Sequence, residues 1–218
     1  MHRTSILFAA IASICAAAGV QAAGNDIDKV NGSIHVESGQ QAGDLSTVNG
    51  SIRIAPGGSA AKVSTVNGGI DVGEHANVDS VETVNGGITL AAGAKVARTV
   101  EAVNGAIRLD KGADVAGHAS NVNGRFTLDA AHVGGGIETV SGDIEIGADS
   151  RVEGGIVVEK PQGWSWGKSR NPRVVIGPRA VVQGTLDFRR EVDLYVSDSA
   201  TIGQVTGAKV QKFSGDHP

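Results

Sequence analysis

A five-residue motif recurs along most of this chain at a nearly constant interval. Its first four copies, each beginning with Val-Asn-Gly, start at residues 30, 48, 66 and 84 and are therefore 18 residues apart. Three further copies start at 103, 122 and 140, and the last has Ser-Gly in place of Asn-Gly. Self-similarity at a fixed period is typical of solenoids, in which each repeat forms one coil that stacks on its neighbours.

A second pattern follows the Val-Asn-Gly motif and continues after that motif has ended. An apolar residue is followed by a small residue four positions later and by a β-branched residue six positions later, as in Val72, Ala76 and Val78. The same spacing starts again at Ile176 and at Val196. Even spacing places these side chains on one face of an extended chain, because strand side chains alternate. Both halves of the chain are therefore expected to belong to one structure.

Asn-Gly between extended segments is usually the signal of a β-hairpin. A series of hairpins does not require similar turns at a constant interval, whereas a solenoid stacks equivalent corners on one another. The sequence therefore predicts an all-β protein, a single parallel β-helix with about 18 residues per coil and roughly nine coils. Asn and Gly are expected to stack at one corner, with Gly chosen for a positive φ. The corner residues are Asn31, Gly32, Asn49, Gly50, Asn67, Gly68, Asn85, Gly86, Asn104, Gly105, Asn123, Gly124 and Gly142.

The composition agrees with a narrow interior. Gly accounts for 32 of the 218 residues, while the chain has only two Trp, one Tyr and four Phe. The core must therefore be built from Val, Ile, Leu and Ala. The formal net charge of −4 gives no reason to expect nucleic acid as a partner, because its phosphates require a basic surface.

Residues 1–22 have the pattern of a secretory signal peptide. A basic start is followed by an apolar run and by small residues that end at Ala22, as signal peptidase requires. We expect cleavage near this residue and export to the periplasm or the cell exterior. The solenoid is expected over residues 23–210, with a C-terminal tail at 211–218. Cys15 is the only cysteine, so no disulfide is expected in the exported chain.

The repeat is interrupted once, over residues 159–172. Ile146 and Ile176 occupy equivalent positions, yet they are 30 residues apart where 18 is the usual interval. Pro and Gly mark the inserted segment as a loop. It contains both Trp residues of the protein.

Two interpretations of this loop stay open. Trp164 and Trp166 could fold back as a lid over the side of the rod, since large aromatic side chains usually find cover. Alternatively, the two indoles could form a binding site together with Lys168 and Arg170. Such a site would suit a glycan, an anionic lipid head group or a partner protein.

Nothing in the sequence indicates a catalytic site, a cofactor or a metal site. The histidines are scattered and lack the spacing of a ligand pair. Several carboxylates could line a groove of the kind that polysaccharide-cleaving β-helices use, although a solvated face explains them better. They are Asp71, Glu82, Asp110, Asp129, Glu138, Asp143 and Glu145.

Two segments resemble known repeat families. Thr-Val-Asn-Gly-Gly-Ile at residues 83–88 is similar to the β-helical repeats of bacterial adhesin families. Segments 176–184 and 199–203 resemble bactofilins, which are cytoskeletal proteins with a β-helix. The resemblance to bactofilins implies end-to-end polymerisation in the cytoplasm without nucleotide, whereas the present chain carries an export signal and a Trp-containing loop.

These observations together predict a non-enzymatic, exported structural or adhesive β-solenoid of the bacterial envelope. Self-association through the ends of the rod is one expected partnership, and an envelope glycan, lipid head group or protein is another. The alternative is a glycan-binding or polysaccharide-acting β-helix.

Overall fold

The computed structural model describes residues 25–161 and 170–218, whose regular structure consists of 26 β-strands. In chain order the strands are β1 (Ile27–Asn31), β2 (Ile34–Val36), β3 (Leu45–Asn49), β4 (Ile52–Ile54), β5 (Ser59–Asn67), β6 (Ile70–Val72), β7 (Asn77–Asn85), β8 (Ile88–Leu90), β9 (Lys95–Val96), β10 (Val100–Asn104), β11 (Ile107–Leu109), β12 (Asp114–Val115), β13 (His118–Asn123), β14 (Phe126–Leu128), β15 (His132–Val133), β16 (Gly136–Thr139), β17 (Ile144–Ile146), β18 (Arg151–Val152), β19 (Ile156–Val158), β20 (Arg173–Ile176), β21 (Val181–Val182), β22 (Leu186–Phe188), β23 (Asp193–Ser197), β24 (Thr201–Ile202), β25 (Val205–Thr206) and β26 (Val210–Phe213). Each strand pairs in parallel with strands of the neighbouring coils, which confirms the predicted parallel β-solenoid.

The strands form three faces of the rod. The first face is a ten-stranded sheet that runs from β2 to β26, and its strands number the coils from 1 to 10. The short strands from β9 to β24 form the second face, and the strands that precede the Val-Asn-Gly corner form the third. The long strands β5 and β7 continue from the second face into the third, which joins these two faces into one sheet. The solenoid has about ten coils, one more than the sequence indicated.

The core consists of stacked columns of β-branched and small side chains. Val72, Ala76 and Val78 are all at least 97% buried, as the second sequence pattern predicted. One column of the first face has Phe126 between Ile107 and Ile144, and each of these side chains is at most 1% exposed. Such a column removes nearly all of its apolar surface from water, which stabilises the fold by roughly 25 cal/mol per Å².

The interruption of the repeat leaves the stacking intact. Ile146 pairs in register with Ile176 across the 30-residue interval, so the coils on either side of the insertion stay in register. Near the end of the chain, β26 pairs with β23 and continues to Phe213. The last coil therefore extends three residues into the segment 211–218 that the sequence assigned to a tail.

Candidate functional site

The Asn side chains of coils 1–6 form a hydrogen-bonded ladder along one edge of the rod. In each pair, the side-chain Nδ2 donates to the Oδ1 of the Asn in the preceding coil, over 2.9 to 3.2 Å. The side chains are solvent-exposed, and the bonds all run in one direction. Aligned amide groups polarise one another, so this edge is best explained as a structural ladder. Its members are Asn31, Asn49, Asn67, Asn85, Asn104 and Asn123.

A second set of hydrogen bonds lies beneath the ladder. Thr47, Thr65 and Thr83 each donate their hydroxyl to the carbonyl oxygen of the corner Gly in the preceding coil, at 2.9 to 3.1 Å. All three are at least 96% buried. In coil 5 the equivalent residue is Ala102, which has no hydroxyl group. The sequence signal for this contact is the Thr two positions before Asn49, Asn67 and Asn85.

The corner glycines are required for a different reason from the one the sequence suggested. In the series from Gly32 to Gly142, only Gly32 and Gly124 have a positive φ. The others lie so close to the preceding coil that a Cβ would overlap its backbone. At Gly86, for example, an added Cβ would collide with the carbonyl oxygen of Gly68. Close stacking of the corners therefore excludes side chains at these positions.

The insertion falls between β19 and β20, at the equivalent corner of coil 8. Trp164, Trp166 and Lys168 lie outside the described residues, so the two interpretations of the loop both stay predictions. Arg170 is described, and its guanidinium forms an ion pair of 2.8 Å with Asp143. Although burial alone would raise the pKa of Asp143, the hydrogen bonds from Arg170 and from the backbone N–H of Arg173 hold that pKa below its ordinary value.

A concave groove lies where the second face meets the third. Val63 and Val81 point into the core, while the adjacent Ser64 and Ser80 belong to the outer surface, yet these two serines are only 6% and 7% exposed. Lys62 is in register with Ser80 and extends over the outside of the rod. Small outer side chains with so little exposure lie below the level of their larger neighbours, so the surface is recessed here. We call this feature the lateral groove.

The lateral groove is lined by one column of outward positions on the third face. Ser64, Glu82, Glu101, Ser120 and Glu138 are consecutive register partners, so they follow the rod axis at about 4.8 Å per coil. Ser120 is 5% exposed, although it belongs to the outer surface. The column therefore combines two buried hydroxyl groups with three carboxylates.

The groove widens into a cleft of about 290 Å³ at coils 5–8. Glu101, His118, Ser120 and Glu138 line it, and its remaining walls include Val157 and the glycines Gly135, Gly136 and Gly154. Because glycine has no side chain, the backbone itself forms part of these walls. Backbone atoms are therefore accessible in the cleft, whereas side chains cover the surface around it.

The charges of the groove are only partly balanced. Glu82 forms an ion pair of 2.9 Å with Lys62. Glu138 is half-buried, and burial together with the nearby carboxylate of Glu159 raises its pKa, against the opposing effect of Arg189 and His118. The cleft therefore holds a carboxylate in surroundings that disfavour its charged form.

The remaining sequence-predicted carboxylates lie elsewhere. Asp71 and Glu145 belong to the first face, and Asp110 and Asp129 follow its strands. Within the described residues, no three His, Cys, Asp or Glu side chains come together as a metal-binding group. No helix in that part of the chain is long and apolar enough to cross a membrane.

Ser64, Ser80, Ser120 and Glu101 were not predicted from the sequence as groove residues. Their alternation marks them as outward-facing, and outward serines on a strand are ordinarily exposed. The three serines are buried because they are recessed between larger neighbours where two faces meet. The available signal was a break in the alternation, because the apolar residues Val78 and Val81 are three positions apart where the chain passes from one face to the next.

No protein-family model matches this chain, no curated protein is detectably similar to it, and no solved structure matches it. The likeness to adhesin repeats and bactofilins thus stays a prediction from the quoted residues.

Proposed function

We propose that this chain is an exported, non-enzymatic structural or adhesive rod of the bacterial envelope that acts as a discrete unit. The fold supports a rod: ten stacked strands at about 4.8 Å span about 43 Å. Export is supported by the signal-peptide pattern of residues 1–22. The observation that carries the proposal is the way in which the two ends of the solenoid terminate.

At the first coil, a lysine occupies an inward position. Lys29 is in register with Thr47, and its ammonium donates a hydrogen bond of 2.8 Å to the carbonyl oxygen of Ser33. In the next coils, the equivalent carbonyl accepts a bond from a backbone N–H of the preceding coil, as Ser51 does from Ile34. Lys29 thus satisfies the carbonyl group that a further coil would otherwise bind.

At the last coil, a lysine again continues an inward column. Lys212 is in register with Val196, which stacks on Ile176, and both of these apolar residues are fully buried. Lys212 itself is exposed. A further coil would bury its ammonium without a partner, which costs several kcal/mol. Inward-pointing charges at sheet edges are a common means of preventing edge-to-edge pairing.

These two ends favour a discrete rod over an end-to-end polymer. The test is sedimentation velocity of the exported protein over a wide concentration range, and we expect one unchanging sedimentation coefficient. The double variant Lys29→Thr and Lys212→Val, which restores both columns, should form larger species. The control variant Lys95→Thr with Lys111→Val removes two charges from the sides of the rod and should behave as the wild type.

If the wild-type protein assembled into filaments as its concentration was raised, the proposal would be contradicted. If the double variant sedimented like its control, Lys29 and Lys212 would not be the residues that prevent end-to-end assembly, and the discrete rod would lose its support. Recovery of an exported product that begins near Ala23 tests the predicted export, and an intact Met1 on cytoplasmic protein would contradict it.

A further inference from the structure

The lateral groove contains hydroxyl groups that have no partner. Ser64, Ser80 and Ser120 are all at least 93% buried, and their hydroxyls form no hydrogen bond with any described residue. No fully enclosed side-chain polar atom of the described residues lacks a partner, so these hydroxyl oxygens must open to the groove. Buried polar groups are ordinarily hydrogen-bonded. Of the three, Ser120 lines the cleft, and its unpartnered hydroxyl beside the carboxylates there indicates a ligand with several hydrogen-bonding groups.

The carboxylates of the cleft define the charge of that ligand. Glu101 and Glu138 lie one coil before and one coil after Ser120. The second carboxylate is half-buried and close to Glu159. A cation bound between them would offset the repulsion and the burial of these groups. A polyanion would instead meet like charges, which argues against acidic glycans and anionic lipid head groups at this surface.

The shape of the groove favours an extended chain. The column of groove residues follows the rod axis from coil 3 to coil 7. The cleft of about 290 Å³ is at the lower end of the size of ligand pockets. One or two sugar rings would occupy it, and the rest of the chain would lie along the groove on either side.

A peptide is a poorer occupant. Peptides commonly bind a sheet by adding a strand to a free edge, but β13 already pairs with β10 on one side and β16 on the other. The peptide backbone would therefore find no ladder to join. A sugar chain does not need one, since its hydroxyl groups supply the hydrogen bonds.

We propose that the lateral groove binds an extended glycan chain that carries amino sugars, with Ser120 bonding ring hydroxyls and Glu101 and Glu138 bonding the ammonium groups. This inference deepens the proposed function by naming the surface through which the rod adheres. It does not depend on how the rod ends, so the sedimentation experiment and the binding experiment can fail separately.

The test is a calorimetric titration of the exported protein with a hexamer of β-1,4-linked glucosamine. The fully N-acetylated hexamer, an oligogalacturonate and hexalysine serve as comparison ligands. We expect the glucosamine hexamer to bind at least about tenfold more tightly than the N-acetylated hexamer, as loss of a charged hydrogen bond predicts. The oligogalacturonate should not bind.

Two variants locate the site. Ser120→Ala and Glu138→Gln should each weaken binding of the glucosamine hexamer by about tenfold. The controls are Thr127→Val and Glu145→Gln, which change the same coils on the first face and should bind as the wild type does. Melting curves of all four variants establish that the fold is kept.

The outcomes separate the alternatives. Absence of glycan binding, or equal binding by groove and control variants, would overturn the glycan site and leave the discrete rod untouched. Hexalysine that binds as tightly as the glycan would show a general cation surface and would also overturn it. Shortening of the hexamer during the titration would support the site and overturn the non-enzymatic part of the proposed function.

Discussion

Neighbouring coils are held together at their corners by an amide ladder in coils 1–6 and by arginine side chains in coils 7–9. In the first region every bond of the ladder joins two Asn residues that are 18 or 19 positions apart. In the second, Arg170 pairs with Asp143 and Arg189 pairs with Glu159. Arg190 reaches past coil 8 and donates to the carbonyl of Val140 in coil 7. These contacts span 27, 30 and 50 residues respectively.

The difference shows what each kind of corner contact requires of the sequence. An amide ladder needs the same residue at the same place in every coil, because each Asn must donate to one neighbour and accept from the other. A long arginine side chain reaches over irregular distances and tolerates the insertion at the corner of coil 8. Exposed ion pairs contribute little to stability, so the second region must depend more heavily on its apolar core.

The largest expected effect concerns the stacked glycines of the ladder region. Gly86→Ala should lower the free energy of unfolding by about 3 kcal/mol or more, because its Cβ would overlap the backbone of the preceding coil. Gly69→Ser is the matched control, since Ser51 occupies the equivalent position one coil earlier. Chemical denaturation measures both. Similar midpoints for the two variants would show that the corners are not closely stacked.

The ladder itself should make a smaller contribution. Asn67→Ala removes two amide hydrogen bonds and should cost about 1–2 kcal/mol of unfolding free energy. Asn77→Ala is the control, because that exposed side chain bonds only to the carbonyl of His75. Equal losses, measured by denaturation, would mean that the ladder contributes no more than an ordinary surface Asn.

One substitution in the ladder region is expected to raise the stability of the fold. Ala102→Thr should restore the buried hydroxyl bond that Thr83 makes one coil earlier, and should stabilise the fold by about 1 kcal/mol. Ala102→Val has the same shape without the hydroxyl group. A threonine variant no more stable than the valine variant would show that the hydrogen bond adds nothing.

The smallest expected effect concerns the ion pair in the second region. The pKa of Asp143 is lowered in the fold from its ordinary value of 3.8, so its charged form stabilises the protein above that pH. This contribution is lost as the pH falls through the lower, folded-state pKa. The difference in unfolding free energy between the wild type and Asp143→Asn should therefore shrink from pH 5 toward pH 2. A difference independent of pH would contradict a role for its charge.

Much of the fold could be predicted because a solenoid repeats in space whatever repeats in sequence. The 18-residue interval fixed the coil, and even spacing as in Val72, Ala76 and Val78 identified the core columns. The pairing of Ile146 with Ile176 was likewise visible as an interruption of a constant interval. Tertiary structure only had to stack these equivalent residues on one another.

The reason for the corner glycines could not be predicted in the same way. Asn-Gly suggests a positive φ from local geometry. At Gly86, however, the backbone of another coil leaves no room for a side chain. Lys29 and Lys212 also look like ordinary surface residues in the sequence. Their inward register became visible only when the columns they terminate were aligned.

The lateral groove was decided by tertiary structure alone. Sequence alternation determines which side chains point outward, and it assigned Ser64 and Ser120 to the surface. Whether an outward side chain is exposed depends on the angle between adjacent faces, and that angle follows from how ten coils of side chains pack inside the rod. Local sequence determines the period and the direction of each side chain, but the concavity that buries a hydroxyl group is a property of the assembled sheets.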